Sequence, residues 1–133
     1  QNPDRQICCN TVREELLFGF KAQGRLDEQA QEKVDAMIEH FNFDADAEPF
    51  LLNRGTRQLL ALASILVTEP EVLILDEPTN HLDVGSIEAL ERALAAFPGA
   101  IILVTHDEQL LHTVSTVRWH IDRTADKSCL RVM

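Results

Sequence analysis

Two neighbouring acids, Asp76 and Glu77, stand directly after the apolar run VLIL at 72–75, and a histidine, His106, stands just after a second run, AIILV at 100–104. Carboxylates side by side can divide labour. Mg²⁺ is hard, prefers oxygen, and is usually held by one or two carboxylates together with substrate phosphates. Asp76 is the candidate for holding such an ion through its water shell. That leaves Glu77 to act as general base on a water aligned with a terminal phosphate. His106 is the candidate donor to that phosphate as charge develops on it. The alternative gives Asp76-Glu77-Pro78 no chemistry: it caps a strand and starts a turn.

Meeting at one place requires particular elements. Each apolar run is short and bounded by turn residues, Pro70 and Pro78 for the first and Pro98-Gly99 before the second, which predicts two fully buried strands. A helix is expected between them, over about 84–97. A strand, a helix and a second buried strand make a parallel, right-handed crossover. Ligands of parallel sheets bind beyond the carboxyl ends of the strands. Asp76, Glu77 and His106 therefore arrive at the same sheet edge on topology alone. A shorter helix over about 108–114 and closing strands near 117–121 and 129–132 complete this half. His112 and His120 have no ligand partners near them in sequence, and Trp119 is expected to pack in a closing strand.

The first half reads helical. Thr11-Val-Arg-Glu14 fits a capping box opening a helix that carries Val12, Leu16, Leu17 and Phe20 and ends near Gly24. Val34, Met37, Ile38 and Phe41 mark one face of a second helix, over about 27–41. His40 on it has no ligand partners in sequence, and Phe18 and Phe20 are assigned to core packing, with a partner's helix as the other reading. The acidic stretch 42–49 lacks periodicity and reads as a loop, and a third helix, over about 56–67, is apolar on most sides. The fold class is thus α/β, with parallel strands in residues 71–133 preceded by a helical subdomain in residues 1–70.

Composition narrows the function. The chain has 133 residues, 45% hydrophobic and 26% charged, enough for one domain with a real core. Twenty-two acidic residues against 12 basic ones give a net charge of −10, which argues against nucleic acid as a main partner and against adsorption on anionic lipid. No apolar run approaches the roughly 18 residues needed to cross a bilayer, so direct membrane insertion is not expected. The first residue is Gln1 and not Met, which reads as a chain processed or cut from something longer. Cys8, Cys9 and Cys129 show no metal-ligand spacing and are read as reduced cytosolic thiols without a catalytic role.

The motifs together resemble the ATP-binding-cassette (ABC) ATPases. LDEPTNHLD at 75–83, followed by LVTHD at 103–107, looks like the Walker B, D-loop and switch-histidine run of that family. QNPD at 1–4 resembles the Q-loop, TVREEL at 11–16 the start of the helical subdomain of importer-type cassettes, and LNRGTRQ at 52–58 sits where the LSGGQ signature belongs. The resemblance implies a nucleotide-hydrolase core of the P-loop type, with ATP and Mg²⁺ as ligands. It implies that Asp76 serves Mg²⁺, Glu77 is the catalytic carboxylate and His106 contacts the γ-phosphate. Gln1 would sense the metal and the attacking water and link the site to a membrane partner. Asp83 would reach across a head-to-tail dimer, and Asn53 and Gly55 would face ATP held by the second cassette.

Two departures limit what the resemblance implies. In the signature, Asn53 replaces serine, Arg54 the first glycine and Thr56 glutamine, while Gly55 remains; the alternative reading of Asn53 is a plain helix cap. The second departure is the P-loop. It needs G-x-x-x-x-G-K-[ST], and the five glycines here are followed by Phe20, Arg25, Thr56, Ser86 and Ala100, never by lysine. These 133 residues alone are expected to bind ATP weakly or not at all.

Within the family, residues 1–70 resemble the ATPase subunits of energy-coupling-factor importers, which take up vitamins or metal ions. Residues 76–111 resemble ABC-F proteins, which act on ribosomes. The expectation is an importer ATPase at the inner face of the cell membrane. It would be held there by a transmembrane transporter subunit and paired with a second ABC ATPase subunit, identical or different. Alternatives are an ABC-F-type ribosome-associated ATPase, a head of the SMC type, and a non-catalytic interaction module.

Overall fold

Thr11 opens the first helix as its N-cap, its hydroxyl accepting the Glu14 N–H at 3.2 Å. In a computed structural model of the chain, which describes residues 6–123 and 128–132, this helix is α1 (Val12–Ala22). The expected capping box is shifted by one residue: the Glu14 carboxylate reaches back to the Asn10 N–H at 3.2 Å and not to that of Thr11. The chain leaves α1 through Gly24, whose φ of +68° is the left-handed turn that glycine makes without strain.

Asp27 caps α2 (Glu28–Phe41), accepting the Ala30 N–H at 2.8 Å, and Asn42 ends it in the left-handed conformation. The loop after it contains one short 3₁₀ turn, Pro49–Leu51. Asn53 then caps α3 (Arg54–Leu66). Strand β1 (Val72–Asp76), helix α4 (Val84–Ala95), strand β2 (Ala100–Val104) and helix α5 (Glu108–Val114) follow. The chain closes with strands β3 (Trp119–Arg123) and β4 (Ser128–Val132).

β1 and β2 pair in parallel with Val72 opposite Ala100 and Asp76 opposite Val104, as expected of strands joined by a helix. β3 and β4 pair antiparallel with each other as a separate two-stranded sheet, Trp119 opposite Val132. The closing strands therefore extend a hairpin and do not widen the parallel sheet.

One core joins the helices to one face of the parallel sheet. Leu16 and Phe20 of α1, Val34 of α2, Leu60 and Ala63 of α3, Leu73 and Leu75 of β1, and Leu90 and Leu94 of α4 are all buried in it. His40 helps to close it: its Nε2 lies 2.8 Å from the Ala89 carbonyl, tying α2 to α4, so this histidine is structural.

Three sequence expectations fail here. The strands are not buried on both faces: Leu73 and Leu75 are buried, while Val72 and Ile74 are 54% and 68% exposed and Ile102 and Val104 are 47% and 55% exposed. Among the described residues, helices cover only one side of the sheet, so alternate side chains face outward. Phe18 is exposed on α1 although Phe20 is in the core, because two residues along a helix turn a side chain to a different face. Trp119 is also exposed.

Candidate active site

The sheet edge is built by how the two strands end. β1 stops at Asp76, which is exposed, and the next residue turns left-handed: Glu77 has φ of 47°, and its N–H donates to the Val104 carbonyl at 2.7 Å. A left-handed residue with a Cβ costs on the order of 1–2 kcal/mol. Two neighbours hold it in place: that short bond to β2, and the buried Pro78, whose carbonyl accepts from Gln58 Nε2 at 3.2 Å. The extra cost at Glu77 is the kind of backbone strain that rigid surroundings impose at working sites.

β2 ends in a second fixed turn. The Asp107 N–H donates to Thr105 Oγ1 at 3.1 Å, and the Asp107 carboxylate accepts the N–H groups of Gln109 and Leu110 at 3.0 Å to cap α5. His106 is held between these bonds with its side chain 99% exposed. Its Nε2 lies 3.4 Å from Glu77 Oε1, whose side chain is 26% exposed. A half-shielded carboxylate beside an open imidazole can accept a proton from water and share charge with a donor next to it. Oxygen donors at Asp76 and Glu77 suit a hard cation such as Mg²⁺.

The turn from Glu77 to Asp83 forms a second group with the start of α3. The N–H groups of Asn80 and Leu82 donate to the carbonyls of Glu77 and Thr79, and His81 takes φ of 68°. Asp83 caps α4, accepting the Ser86 N–H at 2.7 Å, and its bonds to Ser86 hold its carboxyl below the usual carboxylate range. Asn53 accepts the Thr56 N–H at 2.9 Å through its side-chain oxygen, the capping geometry of the alternative reading. Gly55 follows, and a Cβ there would lie 2.5 Å from the His81 carbonyl oxygen. Only glycine lets the start of α3 sit this close to the turn.

The structure thus brings Asp76, Glu77 and His106 to one edge, and Asn53 and Gly55 against the turn that ends at Asp83. Among the described residues, no hydrogen bond or ion pair joins Asn53, Gly55 or Asp83 to Glu77 or His106. Gln1 lies outside the described residues.

Sequence reasoning missed three groups. Gln58 ties α3 to the turn after Glu77, and its place one helical turn beyond Arg54 was the available signal. Glu91 on α4 is buried, with one oxygen accepting from Gln109 Nε2 at 3.3 Å and the other without a partner among the described residues. In sequence, Cys8 and Cys9 lack metal-ligand spacing. Folding brings the buried Glu15 to within 4.8 Å of both thiols, and only the turn before α1 creates that cluster.

Comparison with known proteins gives the family. Residues 11–112 match the family described as "AAA domain, putative AbiEii toxin, Type IV TA system". The chain is 36% identical over 113 residues to the biotin transport ATP-binding protein BioM of Rhizobium etli, covering 84% of this chain and 50% of that protein. It is 42% identical over 98 residues to the energy-dependent translational throttle protein EttA of Mycobacterium tuberculosis, covering 74% of this chain and 17% of that one. The solved structure of cbiO1 from Clostridium perfringens, part of the ABC transporter complex cbiONQ, superposes with a TM-score of 0.66 at 28% identity, covering 87% of this chain and 49% of that one. The chain therefore spans half or less of these relatives. It belongs to that AAA-domain family and to the ABC ATPases.

Its fold class, an α/β core with parallel strands of the P-loop hydrolase type beside helices, is that of the family. Among the described residues, no helix is long and apolar enough to cross a membrane.

Proposed function

We propose that this chain supplies the metal-and-water edge of an ATP-hydrolysing site in the ATPase subunit of an ABC importer of the energy-coupling-factor type, serving vitamin or metal-ion uptake. The observation that carries the reading is the pairing of Glu77 with His106 at the ends of adjacent parallel strands. Glu77 is the base that takes a proton from the attacking water, and His106 donates to the γ-phosphate. Asp76, with Gln1, would hold Mg²⁺, which neutralises phosphate charge when bound. Asn53, Gly55 and Asp83 face the second ATPase subunit of a dimer. Residues 1–70 act as the helical, partner-facing unit and residues 71–133 as the catalytic one.

The likeness to BioM and to cbiO1 supports the importer reading, as does the exposed Phe18 on α1, which offers an apolar contact to a transporter subunit. On this reading the protein sits at the cytoplasmic face of the membrane through that subunit. The likeness to EttA favours a second reading, a ribosome-associated ABC-F ATPase, although a net charge of −10 suits RNA contact poorly. Affinity purification of the tagged full-length protein from detergent-treated cells separates the two. A membrane-embedded subunit that depends on Phe18 for co-purification is expected; ribosomal subunits in its place would overturn the importer assignment.

A further inference from the structure

Cys8, Cys9 and Glu15 lie together just before and within the first turn of α1, away from Glu77 and His106. Any two of their donor atoms, one per residue, are no more than 4.8 Å apart. The two sulfurs are 4.0 Å apart. Two Zn–S bonds of about 2.3 Å at a tetrahedral angle place their sulfurs about 3.8 Å apart. The pair already has the bite of a tetrahedral dithiolate. Closing it to a disulfide, with an S–S bond of about 2.05 Å, would need the sulfurs to move together by roughly 2 Å.

Glu15 is fixed beneath them. It is only 3% exposed, and its Oε2 accepts the backbone N–H groups of Cys8 and Cys9 at 3.0 and 2.9 Å. Those bonds orient the carboxylate toward the cysteine pair and wrap the backbone around it. Among the described residues its charge meets neutral donors and no cationic side chain.

We propose that Cys8, Cys9 and Glu15 form a binding site for one thiophilic d¹⁰ cation, Zn²⁺, which staples the segment before α1 to that helix. Soft thiolates favour Zn²⁺ over the hard Mg²⁺ of the sheet edge, so the two sites do not compete for the same ion. Three protein ligands leave a fourth position for water. On binding, both thiol protons pass to solvent and two metal–sulfur bonds form, with no change of oxidation state. Without the ion, burial and the adjacent Glu15 carboxylate push the Cys9 thiol up to about 12, so it stays protonated. A bound cation reverses that balance, because a coordinating thiol is deprotonated outright, and affinity rises with pH.

Co²⁺ and Zn²⁺ titrations of the reduced full chain test this, with Co²⁺ read by its thiolate charge-transfer band and Zn²⁺ by competition with a chromophoric chelator. One equivalent should bind, Zn²⁺ should displace Co²⁺, and Zn²⁺ should raise the thermal midpoint. Cys8→Ser and Cys9→Ser should abolish the band. Glu15→Asp should keep it, and Glu15→Gln should weaken affinity at least about 10-fold, the lower end of what losing even an outer-shell partner costs. Cys129→Ser should leave binding unchanged. Circular dichroism of each variant separates lost folding from a lost ligand, and Glu15→Asp carries the test if Glu15→Gln unfolds. Absence of the band in reduced, folded protein overturns the site. So does a band that survives Cys8→Ser with Cys9→Ser and vanishes in Cys129→Ser.

Discussion

Nε2 of His106 lies 3.4 Å from Oε1 of Glu77, because the parallel register sets Asp76 opposite Val104 and each strand leaves the sheet through a hydrogen-bonded turn. Their meeting is a consequence of backbone geometry, which makes it tolerant of changes elsewhere and sensitive to changes at the turns.

On the proposed roles, His106→Ala should lower ATP turnover by about 10²–10³-fold, the usual cost of removing a positioned donor to developing charge. The affinity for ATP should change far less, because the interaction strengthens mainly in the transition state. Steady-state hydrolysis and nucleotide binding, measured on the chain with a P-loop half supplied, check this. Equal losses in both would place His106 in ground-state binding.

Gly55→Ala should be destabilising by about 1–3 kcal/mol, the range for forcing extra atoms into a tight contact. The added Cβ would lie 2.5 Å from the His81 carbonyl oxygen, a backbone atom that cannot swing aside. Chemical denaturation measures the cost, and loss of amide protection over 78–83 would show that the turn gives way first.

The one-sided sheet makes two neighbours behave differently. Leu75→Ala should cost about 2–4 kcal/mol, since it empties a buried core position. Ile74→Thr, at a 68% exposed position that keeps its β-branched shape, should stay within about 0.5 kcal/mol. Paired urea melts distinguish them, and equal costs would mean that the outer face of β1 is covered in solution.

Asp83 gives a pH dependence with a defined sign. Its carboxyl is held below the usual range in the folded state by its bonds to Ser86. Its stabilisation of α4 is therefore complete above the ordinary carboxylate value and is lost as pH falls through the lowered one. Hydrogen exchange at the first turn of α4 should accelerate in that acidic window. Asp83→Asn, which keeps the cap without the charge, should remove this pH dependence.

Much of this was legible in the sequence. The cap at Thr11 and the helical periodicity of the first forty residues fix α1 and α2 to within a residue or two. The strand–helix–strand order alone brings Asp76, Glu77 and His106 to one edge, since parallel strands share an end. Other features depend on tertiary packing and leave no local trace. A four-residue apolar run reads the same whether one or both faces are covered, so the exposure of Ile74 was hidden. The contact of Gly55 with His81 joins residues on different elements, and the cluster of Cys8, Cys9 and Glu15 needs a turn to bring a helix side chain under a loop.

On the proposed function, Glu77 is the base of ATP hydrolysis. The most direct measurement is single-turnover ATP hydrolysis and bound-nucleotide content for Glu77→Gln, in the chain with a P-loop half supplied. Hydrolysis should slow by about 10²–10⁴-fold, with unhydrolysed ATP retained in the dimer. Turnover at the unmodified rate, with ADP as the bound product, would contradict it.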